Sequence, residues 1–355
     1  MFGTLKRKVL TLSITLSSLT LIVGCTSTNS EEATKEDWNE IQGNTQGTTY
    51  GVILNDPQGK VQKTALDSIL HDFDLALSTY IDSSLISGIN DASMTYIFDD
   101  DFGYFGTCYE KSAQISELTN GAFDPTVFPL VKAWGFFKEE APIPEQNEID
   151  SLLEFVGFNK ELHTCMLSPP RVSFTKRNPS FKLDFNAIAQ GYSVDILAQY
   201  LNKKGIKNYY LEIGGEIVVK GKNRENKRWR IGIDSPKQKQ GTRVLDNVVN
   251  ISNKAIATSG NYRKFYIKDG VKYAHTIDPK TGKPVQHSLL SATVIANSCA
   301  DADAYATAFM VMGVEKSMEF VEANPKLGLD VYLLYDDGTG VIQRKMTQGF
   351  EKYLK

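Results

Sequence analysis

The chain has 355 residues, of which 41% are hydrophobic, enough to bury the core of one large domain or two modest ones. Its 39 Lys and Arg residues nearly balance 42 Asp and Glu residues, and the net charge is −3 with both signs interspersed. This distribution argues against a nucleic-acid-binding surface, which needs a clustered basic patch.

The first 24 residues are typical of a secretory signal peptide, because a basic start, KRK at residues 6–8, precedes a short apolar run. The run ends in LIVGC at residues 21–25, where a small residue stands directly before cysteine, as in a bacterial lipobox. We therefore expect Cys25 to be lipidated and to become the new N-terminus. The alternative is an uncleaved membrane anchor, for which the run is short, since a span needs about 20 apolar residues.

Residues 25–43 are polar, acidic and without periodicity, which predicts a flexible tether after the lipidated cysteine. The folded domain is then predicted to cover residues 44–355. With either interpretation of the N-terminus, this domain is expected to work outside the cytoplasm and to be held at a bacterial membrane. The outer face of the cell membrane and a periplasm both remain open.

In chain order, residues 48–54 predict a strand, because they are rich in β-branched residues and alternate loosely. Apolar residues at helical spacing over Leu66–Leu77 predict a helix, followed by a polar turn at residues 81–90. A second helix is predicted over residues 108–120, with Gly121 as its C-terminal cap.

Two prolines argue against a regular helix over residues 121–131, and residues 148–157 predict a short helix. Residues 162–176 predict a hairpin that turns at Pro169–Pro170. The segment at residues 183–205 begins extended and then becomes helical until a terminal glycine.

Strands are predicted on both sides of Gly214–Gly215 and over residues 228–234. Residues 265–273 and 329–345 each predict a hairpin, and a long helix is predicted between them over residues 299–325. Hairpins and helices are mixed without a regular βαβ alternation, which favours an α+β fold over a doubly wound sheet.

The segment ADADAYAT, residues 300–307, is the first candidate for chemistry. On a helix Asp303 and Thr307 are four residues apart and share a face, whereas Asp301 points elsewhere. Carboxylate and hydroxyl oxygens suit Mg²⁺, which usually takes one or two carboxylates plus substrate phosphate oxygens. The alternative is that these acids simply favour the N-terminus of the helix.

Three further segments carry weaker signals. Asp184 ends a strand just before a helix, whose free N–H groups can bind an anion; alternatively it is a turn residue and Asn186 the helix cap. In the loop TNGAFDPTV, Phe123 is a candidate to stack on a ring and Asp124 to accept from a heterocycle N–H, unless the loop merely buries its Phe. The paired Gly214–Gly215 indicate a bulge or a close backbone approach to a ligand.

The segment HTIDPKTGKP, residues 275–284, predicts a turn that Asp278–Pro279 opens and Gly282 closes. A lone histidine at a strand end, here His275, is more often structural than catalytic. Neither standard nucleotide-binding glycine loop occurs in the sequence.

Besides Cys25, the chain contains Cys108, Cys165 and Cys299, and none of them has C-x-x-C spacing. This pattern gives no indication of a metal cluster or a thioredoxin-like motif. One disulfide or free thiols remain open, and the apolar settings of the cysteines favour buried free thiols.

Together and in this order, the segments resemble the ApbE family of FAD:protein FMN transferases, over about residues 44 to 345. The matching segments are TQGTTYGV, LSTYIDSSLISGIN, TNGAFDPTV, LDFNAIAQGYSVD, YLEIGGEIVVKG, ATSGNYRKF, HTIDPKTGKPV and ADADAYATAFMVMG. The resemblance implies an α+β, T-fold-like arrangement of mixed antiparallel sheets with packed helices and an FAD cleft between subdomains. Many members are also lipoproteins, which agrees with the lipobox.

The family resemblance implies a Mg²⁺-dependent enzyme. Such an enzyme cleaves the pyrophosphate of FAD, moves FMN onto a Thr or Ser hydroxyl of a target protein as a phosphoester, and releases AMP. The target carries a motif resembling Asp-x-x-(Ser/Thr)-Gly-Ala-Thr. This chain holds no copy of that motif, so it is expected to modify another protein.

Residue by residue, the resemblance implies that the Asp303 carboxylate, the Thr307 hydroxyl and the Ala187 carbonyl hold the metal. It also implies flavin and adenine contacts for a larger set: Gln46, Tyr80, Ala122, Phe123, Asp124, Asp184, Gln190 and Ile277. Gln46 stands where Met is common in the family, and Gln190 where Lys or Glu is common. These departures concern the details of FAD contact.

His275 lies two residues before Ile277, so alternation along a strand would put both side chains on one face. Imidazole titrates near neutral pH, and a base helps a hydroxyl to attack. His275 and Asp303 are therefore the predicted catalytic residues.

Three other functions remain open at this point. One is an FAD pyrophosphatase, in which water replaces the acceptor hydroxyl and FMN and AMP are released. Another is a lipid-anchored flavin-binding protein without turnover, against which the Asp303 and Thr307 pair argues. A substrate-binding lipoprotein of a transporter usually has two α/β lobes, which this sequence does not predict.

Overall fold

The computed structural model describes residues 37–135, 143–236, 244–261, 265–268, 271–274 and 276–354. Within residues 265–274 only the backbone is described. None of the helices in these ranges is both long and apolar enough to cross a membrane.

The strands, in chain order, are β1 (Trp38–Thr45), β2 (Thr48–Asn55), β3 (Thr95–Asp99), β4 (His163–Ser168), β5 (Arg171–Lys176), β6 (Tyr209–Ile213), β7 (Glu216–Lys220), β8 (Trp229–Asp234), β9 (Leu245–Ile251), β10 (Lys254–Gly260), β11 (Phe265–Lys268), β12 (Val271–Ala274), β13 (Ile277–Asp278), β14 (Lys283–Pro284), β15 (Leu289–Ala296), β16 (Asp330–Asp336) and β17 (Ile342–Met346). The helices are α1 (Lys63–Leu77), α2 (Leu85–Asp91), α3 (Tyr104–Leu118), α4 (Phe128–Ala133), α5 (Gln146–Leu153), α6 (Asn186–Lys203), α7 (Cys299–Met312), α8 (Val314–Ala323) and α9 (Gln348–Glu351).

An antiparallel eight-stranded sheet in the order β1-β2-β6-β7-β10-β15-β16-β17 organises the domain. A three-stranded sheet, β3-β5-β4, and the hairpins β8–β9, β11–β12 and β13–β14 complete the strand pairing. All of these pairs are antiparallel and the helices pack around them, so the predicted α+β class is confirmed.

The large sheet has two differently covered faces. On one face, Val52 and Leu211 pack with helix residues such as Leu66 and Leu197, because strand alternation turns these side chains toward α1 and α6. On the other face, Val219 belongs to a separate cluster with residues of β8 and β9. Helices α1 and α6 and the β8–β9 hairpin therefore lie on opposite sides of the sheet.

The first strand begins earlier than the sequence predicts. β1 starts at Trp38, so residues 38–43, predicted to be part of a flexible tether, are strand. Gln46 and Gly47 join β1 to β2 with positive φ angles of 50° and 70°, the geometry of a tight hairpin turn. The polar sequence of β1 concealed an edge strand that depends on pairing with β2.

Two helix predictions were wrong. The polar turn predicted at residues 81–90 contains α2, whose Ser84 cap accepts a hydrogen bond from the Ser87 N–H at 3.1 Å while Ile86 and Ile89 are buried. The single long helix predicted over residues 299–325 is broken at Gly313, whose φ of 78° ends α7 and precedes α8.

Three other predictions are resolved. A helix, α4, does begin within residues 121–131, with a proline in its first turn, where a missing N–H is tolerated. The hairpin at Pro169–Pro170 is confirmed as β4–β5. Cys108, Cys165 and Cys299 are free, and Cys108 and Cys299 are buried, as the apolar settings favoured.

Candidate functional site

A pocket of about 950 Å³ lies where α6, α7, the β6–β7 turn and the loop after α3 meet. Every predicted site residue that the structure describes lines this pocket: Gln46, Tyr80, Ala122, Phe123, Asp124, Asp184, Ala187, Gln190, Ile277, Asp303 and Thr307. His275 and Cys25 lie outside the described residues, but Thr276, which follows His275, also lines the pocket.

A close contact between α6 and α7 forms one wall. The Oδ2 atom of Asp303 accepts a hydrogen bond from the backbone N–H of Gly191 at 3.0 Å. Only glycine fits at this position, because a Cβ there would lie 2.3 Å from the Cys299 carbonyl oxygen and 2.8 Å from the Asp303 Cβ. Thr307 follows Asp303 by one helical turn, and Ala187 precedes Gly191 by one turn, so the helix contact brings the predicted metal ligands to one wall.

Asp303 and Glu216 are buried carboxylates at this wall, and each is about one-tenth exposed, at 9%. Burial is the main cause that raises the pKa of both, and the negative charge of Asp303 raises the pKa of Glu216 further. The Gly191 N–H opposes the rise at Asp303. A cation at this wall would stabilise both carboxylates in the ionised form.

No cluster of three or more His, Cys, Asp or Glu side chains able to hold a metal ion occurs in the described part of the chain. The predicted metal ligands do not form such a cluster, because they are one carboxylate, one hydroxyl and one main-chain carbonyl. Mg²⁺ is commonly held by one or two carboxylates together with substrate phosphates and water. The buried carboxylate of Asp303 and the neighbouring hydroxyl of Thr307 fit this chemistry.

Gln190 joins this wall to the large sheet. Its Nε2 donates to the Ile213 carbonyl at 3.0 Å and also to the carboxylate of Glu216. Gly214 and Gly215 form the β6–β7 turn with φ angles of 62° and 116°. A Cβ at Gly214 would lie 2.1 Å from the Gln190 Nε2, so the close approach predicted for the paired glycines is made by a side chain of this protein.

Asp184 is held just before the start of α6 by backbone contacts. Its N–H donates to the Pro125 carbonyl at 2.7 Å, and its Oδ1 accepts from the Asn186 N–H at 2.8 Å. The preceding Leu183 is fixed by the Asn90 amide, which accepts from the Leu183 N–H at 2.7 Å and donates to its carbonyl at 2.8 Å. Desolvation of the Asp184 carboxylate raises its pKa to about 6.

Tyr80 lies at the mouth of the pocket beside Asp184, with 70% of its surface exposed. Partial desolvation raises the pKa of its phenol, and the negative charge of Asp184 raises it further. An exposed aromatic face at the edge of a cavity is suited to stack on a planar ring.

The loop after α3 carries Phe123 and Asp124. The Asp124 Oδ1 accepts from the Thr126 N–H at 2.8 Å and from its hydroxyl at 2.6 Å, and the Thr126 hydroxyl in turn accepts from the Gly157 N–H at 2.7 Å. Burial raises the pKa of Asp124 to about 6. Phe123 is 1% exposed, so the loop buries nearly all of this ring. This was the alternative to a stacking role.

Gln46 adds a buried polar group from the β1–β2 turn. Its Oε1 accepts from the Ser193 hydroxyl at 3.4 Å, and hydrogen bonding from Gln46 opposes the rise that burial causes in the pKa of the Asp74 carboxylate. A buried amide donor of this kind is favourable only when it finds an acceptor.

Residues 278–282 form the predicted turn. The Asp278 carbonyl accepts from the Gly282 N–H at 2.8 Å, and Gly282 has a φ of 68°. The Gly282 carbonyl accepts from the Trp134 indole at 2.7 Å, which ties the turn to α4. The turn therefore holds Ile277, buried in β13, at the pocket wall.

Several pocket residues were missed by the sequence reasoning. Asp74 lies in the last turn of α1, and Arg230 and Asp234 line the pocket from β8. Nothing in their local patterns separates them from ordinary surface residues. Glu216 is different, because a carboxylate that opens the apolar strand EIVV after paired glycines is a detectable signal of a buried charge.

The pocket belongs to a chain with clear relatives. The model of the ApbE family matches residues 46–333. An FAD:protein FMN transferase from Vibrio cholerae is 35% identical over 331 residues, covering 92% of this chain and 94% of that protein. One from Haemophilus influenzae is 34% identical and covers 88% of this chain and 90% of that protein. The solved structure of the flavin transferase ApbE from Vibrio cholerae has a TM-score of 0.78 at 34% identity, covering 89% of this chain and 99% of that one.

Proposed function

We propose, because the chain belongs to the ApbE family, that it is a Mg²⁺-dependent FAD:protein FMN transferase. It moves FMN from FAD onto a Thr or Ser hydroxyl of a target protein and releases AMP. A phosphoester forms between the hydroxyl oxygen and the FMN phosphorus, the pyrophosphate bond breaks, and the hydroxyl proton is taken up by a base. FAD is thus a substrate, and the second partner is the target protein.

One observation carries this proposal: the residues that family resemblance implies for FAD and metal, scattered from Gln46 to Thr307, converge on one pocket. Its volume of about 950 Å³ is at the upper end of the usual range for ligand sites, which suits a dinucleotide.

The charge of the pocket supports the need for a divalent cation. Its described lining includes the carboxylates of Asp74, Asp124, Asp184, Glu212, Glu216, Asp234 and Asp303. Arg230 is the one residue with a permanently cationic side chain in that described lining. Because the diphosphate of FAD is also negative, binding without a cation would bring like charges together.

Asp303, Thr307 and the carbonyl of Ala187 are the residues that would hold Mg²⁺. When bound, the ion would neutralise the diphosphate and stabilise the charge that develops on AMP. Asp303 is kept in position by the Gly191 N–H and is 9% exposed. Gln190 keeps the neighbouring Glu216 hydrogen-bonded.

His275 is the proposed base that takes the proton of the acceptor hydroxyl. The support is its place in the chain, directly before Thr276 and Ile277, both of which line the pocket. Exchange of His275 for Ala is expected to leave FAD binding intact and to slow transfer by about 10²- to 10⁴-fold, the usual contribution of a general base. If FAD binding and the rate of transfer were reduced equally, His275 would instead be a binding or structural residue.

The proposed reaction takes place outside the cytoplasm. Cys25 would be lipidated after removal of residues 1–24 and would hold the enzyme at the outer face of the cell membrane or in a periplasm. The support is the lipobox-like LIVGC. Labelling with a radioactive fatty acid, with Cys25→Ser as the unlabelled control, tests the anchor.

The transfer itself is tested by mass spectrometry. Full-length chain in detergent is incubated with FAD, Mg²⁺ and a protein that carries the target motif. A gain by the target of one FMN less one water, abolished by EDTA and by Asp303→Ala, is expected. Free FMN and AMP without a mass gain would indicate FAD hydrolysis, and unchanged FAD would overturn the proposal.

A further inference from the structure

Asp195 joins the two helices that carry the proposed metal ligands. It lies on α6, and its carboxylate accepts hydrogen bonds from the first two backbone N–H groups of α7. The Oδ1 accepts from the Cys299 N–H at 2.8 Å and the Oδ2 from the Ala300 N–H at 2.9 Å. A carboxylate at the positive N-terminal end of a helix is favourable, and here both of its oxygens are used.

This link lies close to the Gly191 contact. Asp195 follows Gly191 by about one turn on α6, and Cys299 precedes Asp303 by about one turn on α7. The same pair of helices is therefore joined at two successive levels, by Asp195 to the Cys299 N–H and by Gly191 to the Asp303 carboxylate. These contacts fix both the separation of the helices and their relative position along their axes.

The proposed metal ligands are divided between these two helices. Ala187 would contribute from α6, whereas Asp303 and Thr307 would contribute from α7. A metal ion tolerates little change in the distances between its ligands, and Mg²⁺ demands near-octahedral geometry. A shift of one helix against the other would thus separate a ligand from the remaining two.

We propose that Asp195 is a positioning residue for the metal site: its two hydrogen bonds to α7 set the spacing between Ala187 and the Asp303–Thr307 pair. Asp195 does not line the described pocket; it acts through its hydrogen bonds to α7 and through its negative charge, which adds to the rise that burial causes in the pKa of Asp303. This inference rests on the proposed function, because it concerns the Mg²⁺ site that the transfer requires.

The chain contains a matched control in Asp100, which is 6% exposed. Its Oδ1 accepts from the Phe105 N–H at 3.2 Å and its Oδ2 from the Gly106 N–H at 2.8 Å, in the first turn of α3. Asp100 and Asp195 therefore make the same kind of helix-capping contact with two consecutive amides. They differ in that Asp100 caps the helix that directly follows it, whereas Asp195 joins two helices, and α3 carries none of the proposed metal ligands.

The experiment titrates Mg²⁺ into full-length chain in detergent with FAD and no acceptor, and follows FAD binding by fluorescence anisotropy. The variants are Asp195→Asn, Asp195→Ala and Asp100→Asn, each checked for folding by circular dichroism. Asn retains one acceptor oxygen, so this variant is expected to fold even if the Ala variant does not. We expect Asp195→Asn to raise the Mg²⁺ midpoint about tenfold or more, as loss of supporting partners does at other metal sites.

Asp100→Asn is expected to leave the Mg²⁺ midpoint within about twofold of the wild-type value. Equal midpoints for wild type and Asp195→Asn, or a similar increase in Asp100→Asn, would overturn the inference and leave Asp195 as a helix cap only. If FAD binding by the wild-type chain does not depend on Mg²⁺, the inference fails, because FAD and the metal then do not share the site that Asp195 would position. The loss of target mass gain with EDTA tests the proposed function separately, so the two failures are distinguishable.

Discussion

The two sides of the pocket position their carboxylates by different means. On the α6–α7 side, Asp303 is placed by helix packing, because Gly191 lets two backbones approach and donates its N–H. On the side of the loop after α3, Asp124 is placed by short-range hydrogen bonds to Thr126 within an irregular segment. The helix side depends on one close contact between two helices, whereas on the loop side Asp124 is held by its neighbour Thr126, which in turn accepts from the Gly157 N–H.

Gly191→Ala should have the largest effect, because it disrupts the helix side. The new Cβ would meet the Cys299 carbonyl at 2.3 Å, so α6 and α7 must separate. We expect a loss of about 3 kcal/mol in the free energy of unfolding, and a higher Mg²⁺ midpoint for FAD binding. Urea unfolding and the Mg²⁺ titration measure the two effects.

Gly106→Ala is the matched control, since Gly106 is also in a helix but a Cβ there would find its nearest neighbour at an ordinary 3.4 Å. It should be neutral or stabilise by roughly 0.5–1 kcal/mol. If both substitutions behaved alike, the α6–α7 contact would not constrain the spacing of these two helices.

Asp124→Asn should change how stability depends on pH. Burial raises the pKa of Asp124 from 3.8 to about 6, so between these values the folded protein binds more protons than the unfolded chain. The contribution of Asp124 to the free energy of unfolding is therefore fully present below about pH 4 and is lost as the pH rises to about 6. The loss is at most roughly 3 kcal/mol. Asn does not titrate and still accepts from Thr126, so the variant should gain stability relative to wild type over this interval. A pH-independent difference in unfolding free energy would contradict the assignment.

Thr126→Val should have a smaller effect confined to the loop side. It removes the hydroxyl that donates to Asp124 and accepts from the Gly157 N–H, and it leaves that N–H without this acceptor. We expect a loss of about 1–2 kcal/mol, weaker FAD binding and an unchanged Mg²⁺ midpoint. Thr175→Val, which affects an exposed hydroxyl pair with Thr95, serves as the control and should cost less than about 0.5 kcal/mol. A change in the Mg²⁺ midpoint of Thr126→Val would show that the loop side and the helix side of the pocket are coupled.

Asp301→Asn should have the smallest effect. Asp301 lies two residues from Asp303 but pairs with Lys111 at 2.7 Å and with Ser298, and it does not line the described pocket. Because the Lys111 pair is about one-third exposed, we expect a loss of less than about 1 kcal/mol in stability and no change in transfer rate. A strong loss of transfer measured by target mass would place Asp301 in the metal site after all.

The sequence predicts the elements whose signals are local. The spacing over Leu66–Leu77 locates α1, and Gly214–Gly215 between apolar strands locate the β6–β7 hairpin. The turn between His275 and Pro284 is also readable from its Asp-Pro and Gly residues. In each case neighbouring residues determine the backbone, so a short window of sequence is sufficient.

The missed features depend on partners outside the segment itself. β1 becomes a strand by pairing, and the helix in residues 81–90 forms because Ile86 and Ile89 meet the core. Asp195 accepts from amides more than a hundred residues away, so no local pattern reveals its contact with Cys299. Individual site residues were named mainly through family resemblance, since spacing alone linked only Asp303 to Thr307.

The most direct test of the central claim is the amount of AMP released per modified target molecule. A transferase that moves FMN from FAD produces one AMP for each phosphoester it makes. In a reaction of full-length chain, FAD, Mg²⁺ and target protein, chromatography for AMP and intact-mass measurement of the target should therefore give a ratio near one, with both products lost in Asp303→Ala. AMP in large excess over modified target, or modification without AMP, would contradict the account.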